Sequence, residues 1–234
     1  MRLVFLNAYR LSAKGPLPSV RRIRFVFSSA LFLCTVFLQS QCPDTGETKV
    51  FKAAHGDGYY FYRFLGESSF RYFLDGKTFS YNDKDDPGRT FIFIDDLAYE
   101  SILVDRSDLA EYVKSTNPED ILRAQAKNEQ DHYKKLDPSM VIMDYGASYR
   151  QNPDGSNDRL FYLWKKDNPH SKHPAPQYLC STLVKDGVVM LSLFPAKASV
   201  SEDDILLQIQ KYTSHFDVLS SDQCEKALSV SAAH

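Results

Sequence analysis

Between Gln177 and Phe216, two apolar runs, QYLCSTLV (177–184) and VVMLSLFP (188–195), flank Asp186-Gly187, and a capped amphipathic segment follows. An Asp-Gly pair supplies the positive φ angles of a tight type I′ turn, so the runs are expected to pair antiparallel as a β-hairpin. Pairing across that turn sets Val184 opposite Val189, Thr182 opposite Leu191 and Cys180 opposite Leu193. Those residues share one face, while Leu179, Leu183, Met190 and Phe194 share the other. Both faces are apolar, which predicts a hairpin interior to its sheet and covered on both sides. In the next segment Ser201 is the expected N-cap, with Asp204 three residues on, and Ile205, Ile209, Tyr212 and Phe216 form one stripe. That stripe must lie on the sheet.

The earlier chain is rich in strand signals. Eight aromatic residues stand between Tyr59 and Phe73, which suits either a ligand platform or, more simply, the β-rich face of a core. Asp75-Gly76 marks a second hairpin, with strands near 69–74 and 77–82. After a turn at Asp85–Gly88, TFIFID and YESILVD read as neighbouring strands. Ser107 is expected to cap a short helical turn through Val113. Asn117-Pro118-Glu119-Asp120 combines an N-cap, a proline at the first helical position and an acidic first turn, opening a helix over about 118–135 with a narrow apolar stripe. MVIMDYGASY and RLFYLWKK then read as two strands around NPDGSND. Grouped strands and few helices predict an α+β fold, a mostly antiparallel sheet flanked by the mid-chain helix and a C-terminal helix. The expected organisation is one domain over 45–220 with a frayed tail at 221–234.

Charge divides the chain unevenly. Met1 to Pro43 holds six basic residues and no acidic one, so the body from Cys42 onward carries eight more acidic than basic side chains. An acidic body argues against nucleic acid as a partner. The N-terminal block, residues 1–40, has basic Arg21–Arg24 followed by an apolar run from Phe25 to Leu38, the layout of a secretory signal peptide, with a true start near residue 20 an alternative. Fourteen helical residues cover only about 21 Å of a hydrocarbon core of roughly 30 Å. Export followed by cleavage between Ser40 and Cys42 is therefore the expectation.

Export would put the mature cysteines Cys42, Cys180 and Cys224 in an oxidising compartment. A Cys180–Cys224 disulfide is the preferred pair, pinning the segment after the C-terminal helix to the strand face beneath it, for about 4 kcal/mol on chain-entropy grounds. Cys42–Cys224 is the rival. Cys42 also follows the apolar run closely enough to suggest lipidation, although Gln39-Ser40-Gln41 lacks the usual aliphatic residue. Membrane association is expected only if Cys42 is lipidated.

The order of early aromatic strands, a long polar helix, two strand pairs and then GVVMLSLFPAKASVSEDDILLQIQKYTSHF resembles the PsbP-like α/β/α sandwich fold over Tyr59 to Phe216. Many members have a tryptophan in an early strand, whereas the single tryptophan here is Trp164. The resemblance implies a binding or assembly role and transfers no site residues.

Catalytic signatures are sparse. His170-x-x-His173 lies in a proline-rich loop without a cysteine or acidic residue at zinc-site spacing. Asp95-Asp96 could serve an acid/base or cation site, but adjacent strand residues point to opposite faces and such pairs commonly end strands. No nucleophile elbow, Walker loop or dinucleotide-binding fingerprint occurs. The expectation is an exported, non-catalytic binding or assembly module of the cell envelope with no cofactor, binding a protein or small-molecule ligand. The alternatives are a lipoprotein anchored at Cys42, and a hydrolase or metal-dependent enzyme using Asp95/Asp96 or His170/His173.

Overall fold

The structure is a computed structural model that describes residues 42–53, 56–82, 90–110, 113–152, 154–168, 175–197 and 199–231. The basic N-terminal block, the turn at 85–88 and the loop with His170 and His173 lie outside the described residues. The strands are β1 (Asp44–Lys52), β2 (Gly58–Leu65), β3 (Phe70–Asp75), β4 (Phe79–Asn82), β5 (Thr90–Ile94), β6 (Leu97–Asp105), β7 (Val141–Gln151), β8 (Asn157–Asp167), β9 (Gln177–Val184), β10 (Gly187–Pro195) and β11 (Asp217–Val218). The helices are α1 (Arg106–Leu109), α2 (Pro118–Leu136), α3 (Glu202–Ser214) and α4 (Ser221–Ser231). The fold is α+β and its strand pairs are antiparallel, but the strands form two sheets where a single sheet was expected. The smaller runs β1-β2-β3-β11 and the larger β4-β5-β6-β10-β9-β8-β7.

The division into two sheets begins at Asp75-Gly76. This pair does not close a hairpin: β3 belongs to the small sheet and β4 to the large one. Gly76 has φ +150°, and a Cβ there would meet Ile94 Cγ2 at 2.1 Å, so the glycine permits close passage over β5 as the chain changes sheets.

The hairpin β9–β10 is interior, with β8 on one side and β6 on the other. Its two faces are the expected ones, but its register differs by two residues. Val184 pairs with Gly187, Thr182 with Val189 and Cys180 with Leu191, so the turn is Lys185-Asp186. Neither turn residue has a positive φ. Gly187 is instead required because a Cβ would fall 2.0 Å from the Val104 carbonyl oxygen on β6. Asp186 ties the turn to the other sheet, since its carboxylate accepts from Ser68 Oγ at 2.8 Å while its N–H donates back at 2.8 Å.

Among the described residues the apolar side chains form three clusters. The largest combines inward side chains of the small sheet (Phe61, Phe70, Tyr72) with one face of the large sheet (Tyr99, Phe161, Cys180, Leu191) and the α3 stripe of Ile205, Ile209 and Tyr212, joined by Phe216 just past that helix. The second lies on the other face of the large sheet, where α2 contributes Leu122 and Ala126 against Tyr162, Trp164, Leu179 and Met190. The third lies on the outer face of the small sheet, where Cys42, Phe64, Leu219, Cys224 and Ala227 meet. Helix α2 begins at the expected cap, Asn117, whose side chain accepts from Glu119 N, and α3 has a complete Ser201/Asp204 capping box. The short helix α1 is capped by Asp105 rather than Ser107, which donates to it.

Two expectations at the C-terminus are overturned. Residues 221–231 form α4 rather than a frayed tail. The disulfide is Cys42–Cys224, with Cα atoms 5.5 Å apart, and Cys180 is a free, buried thiol. Cys180 lies in the cluster between the sheets and Cys224 in the cluster outside the small sheet, so a layer of strands separates the two sulfurs. With its sulfur in this bond, Cys42 has no valence left for a thioether lipid.

Candidate functional site

The alternation of β2 divides its aromatic residues between the two faces of the small sheet. Tyr59 and Phe61 turn into the main core, whereas Tyr62 and Phe64 pack in the outer cluster. Tyr60 shares the outer face, and so does Phe51, its partner on β1. From β3, Arg71 and Phe73 share that face by alternation with the buried Phe70, Tyr72 and Leu74. The aromatic run is therefore half core and half surface.

Helix α4 covers part of this surface. Its Cys224 and Ala227 are buried against Phe64, and the disulfide fixes them to Cys42 at the start of β1. The N–H of Leu219 donates to the Ser69 carbonyl at 2.8 Å and seats the segment leading into the helix. Gln223, Lys226 and Ala227, at i, i+3 and i+4, share the helix face that turns toward the exposed part of the sheet.

Between α4 and the strands lies a recess of about 540 Å³, with Phe51, Tyr60 and Tyr62 as aromatic walls, Arg71 inside and Lys52 and Lys226 on its rim. Phe51 and Tyr62 meet edge to face at 5.2 Å, and the Arg71 guanidinium lies 5.7 Å from the centre of the Tyr60 ring. Arg71 is held in place by its neighbours. Its Nε and Nη2 donate to Asp217 Oδ2 at 3.0 and 2.8 Å, and Nη1 donates to the Tyr62 hydroxyl at 3.4 Å. Burial opposes its charge, but the Tyr62 hydroxyl and the Asp217 carboxylate more than offset this and keep its pKa above the ordinary arginine value. Asp217 is shared with Arg150 Nη1 at 3.7 Å, so the Arg71 charge is only partly neutralised. Among the described residues neither Lys52 nor Lys226 has a carboxylate partner. The recess thus combines apolar rings with excess positive charge on a protein body that is acidic overall.

A smaller cavity of about 270 Å³ lies beside α1 and the β9–β10 turn, lined by Arg106, Leu109, Thr116, Ile121, Leu183 and Lys185. Lys185 pairs with Glu67, and Arg106 Nη1 donates to the Lys185 carbonyl at 3.5 Å, so both cations are already engaged by the fold.

The acidic pair considered for catalysis has a structural role. Asp95-Asp96 is the turn between β5 and β6, and Asp95 takes φ +49°. Its carboxylate accepts from the N–H groups of Lys77 and Thr78 and from Thr78 Oγ1, at 2.7 to 3.0 Å. Slight burial pushes its pKa up, but these hydrogen bonds outweigh it and leave the pKa lowered. Asp96 pairs with Lys197 at 2.5 Å. Among the described residues no group of three or more His, Cys, Asp or Glu side chains is placed to hold a metal, and no helix is long and apolar enough to cross a membrane.

Phe51, Gln223 and Lys226 escaped the sequence reading because they reach the recess through long-range pairing of β1 and through a helix taken for a tail. The spacing of Cys224, Ala227 and Leu228 was the local signal for that helix. No protein-family model and no curated protein matches this chain.

Proposed function

We propose that this protein is an exported, non-catalytic binding module, and that the recess under α4 takes a small anionic ligand with an aromatic or apolar body. The observation that carries the reading is the recess itself: three aromatic side chains and three cations around about 540 Å³, within the size range of small-molecule sites. The rings would bury the apolar body, and Arg71, with two nitrogens fixed on Asp217 and a third on Tyr62, would present a preorganised charge to the anionic group. The signal-like N-terminal block and the Cys42–Cys224 disulfide support an oxidising location. The PsbP-like resemblance points toward binding rather than catalysis.

Titration calorimetry with phenylbutyrate, phenyl phosphate and the methyl ester of phenylbutyrate tests the ligand class. The anions should bind at least about tenfold more tightly than the ester, the equivalent of one charge-assisted contact. Lys226→Glu, at an exposed helix position, should weaken the anions and leave the ester unchanged. Equal affinity for acid and ester, or an unaffected Lys226→Glu, removes this reading. Export is checked on natively produced protein by intact mass, which should match a chain beginning at Gln41 or Cys42 with two thiols hidden until reduction.

A further inference from the structure

Arg71 stands on β3 between two cross-strand neighbours: Tyr62 of β2 is opposite it on one side and Asp217 of β11 on the other. A guanidinium carries five N–H donors in a fixed planar fork, and these neighbours occupy its two flanks. Nε and Nη2 both donate to Asp217 Oδ2, at 3.0 and 2.8 Å, which uses the edge that those nitrogens share. Nη1 donates to the Tyr62 hydroxyl at 3.4 Å from the opposite flank. One N–H on Nη1 and one on Nη2 remain, side by side at the tip of the side chain, away from the strands and toward the recess that Arg71 lines. Such a fork takes two oxygens of one oxyanion.

The surrounding charges restrict which oxyanion fits. Arg71, Asp217, Arg150 and Asp158 form a chain of alternating sign whose charges cancel. Lys52 and Lys226 line the same recess, and among the described residues neither has a carboxylate partner. The uncompensated charge is therefore that of the two lysines. Lys226 reaches the recess from α4, the wall facing the sheet, with Gln223 one helical turn before it. A carboxylate whose two oxygens sit on the Arg71 fork has none left for a third donor. A phosphate monoester has one, and near neutral pH it carries close to two negative charges.

We propose that the ligand of this recess is a phosphate monoester on an aromatic or apolar body, which rests on the anion site proposed above. Two phosphate oxygens sit on the Nη1–Nη2 fork of Arg71, the third accepts from Lys226 Nζ, and the body lies against Phe51 and Tyr60, which pair directly across β1 and β2. The dianion answers both lysines, whereas a carboxylate or a phosphodiester leaves one of them uncompensated.

Titration calorimetry on the full oxidised chain at about pH 8, where the monoester is a dianion, compares phenyl phosphate with methyl phenyl phosphate, which has the same ring but a single charge and one terminal oxygen fewer. Phenyl phosphate should bind at least about tenfold more tightly, the equivalent of one charge-assisted contact. Lys226→Gln, at an exposed position of α4, should abolish that gap. Arg71→Lys keeps the charge but not the fork, and should weaken both phosphates at least about tenfold. Should Arg71→Lys lower the melting temperature, Lys226→Gln alone decides. If both phosphates outbind the methyl ester of phenylbutyrate but equal each other, the phosphate assignment is overturned and the anion site stands. Phosphates that bind no better than that ester remove both. A gap that survives Lys226→Gln also overturns the proposal. Flotation with phosphatidylcholine vesicles containing phosphatidic acid separates two sources of the same group: flotation that phenyl phosphate displaces assigns a lipid headgroup, and phenyl phosphate binding without flotation assigns a soluble ester.

Discussion

Lys166 shows how one half-buried charge reports on its surroundings. Its ammonium sits 3.1 Å from the centre of the Tyr133 ring, over the face of the large sheet covered by α2. Burial pushes its pKa down to about 8, only partly opposed by Glu129 and Glu100. The unfolded chain releases the same proton near 10.4. Between those values the unfolded state holds more protons, so stability rises with pH, and the penalty for the buried charge is complete below pH 8 and absent above about 10.4. Lys166→Met keeps the apolar stem and removes the charge. Its stability relative to wild type should therefore be greatest at pH 7 and decline toward pH 10, by on the order of 1 kcal/mol once solvent screening is allowed for. Urea unfolding of both proteins at the two pH values measures this, and parallel curves would show that Lys166 is not the group responsible. Cys180 is the inert counterpart, buried in the main core with its thiol pushed up to about 12.

At the scale of elements, the chain's local patterns identified which segments are strands and helices better than they identified which strands meet. The hairpin β9–β10, its two faces and its place inside the sheet followed from period-two alternation between turn residues. Its register did not, because the Asp-Gly pair suggested a turn that glycine closes with a positive φ. In the structure that glycine makes room for Val104 and the aspartate reaches Ser68, more than a hundred residues away in sequence. Gly187→Ala should accordingly cost about 1–3 kcal/mol, the range for forcing an added methyl into a packed site. Denaturant midpoints with an unchanged m-value would measure it. A neutral substitution would mean that β6 yields at Val104. The same local signal at Asp75-Gly76 led to the opposite outcome, a crossing between sheets, since a dipeptide carries no information about which sheet the next strand joins. Helix α4 gave only a weak signal for a related reason: its apolar side is just Cys224, Ala227 and Leu228, sufficient for a helix that is clasped but not for one that must hold itself. The recess inherits that blindness, because one of its walls is α4.

Over the whole molecule, the Cys42–Cys224 bond spans 182 residues and holds β1 and α4 together around the outer face of the small sheet. Its removal by Cys42→Ser with Cys224→Ser should lower stability by about 2–5 kcal/mol, measured by denaturant unfolding. If α4 forms the wall of a working site, the same variant should also lose affinity for the anions that the oxidised protein binds, at temperatures where it remains folded. Full affinity in the double variant would separate the helix from the site. The clasp also determines how the protein carries tension. A pull applied outside Cys42 and Cys224 runs through two sulfurs and a few backbone bonds, and never loads the strand ladders of either sheet. Stretched in this way, the oxidised molecule would yield, among its described elements, only in the part of α4 beyond Cys224 while both sheets stay folded, and the same force after reduction would have to be borne by β1 and the whole of α4, the first elements to peel away.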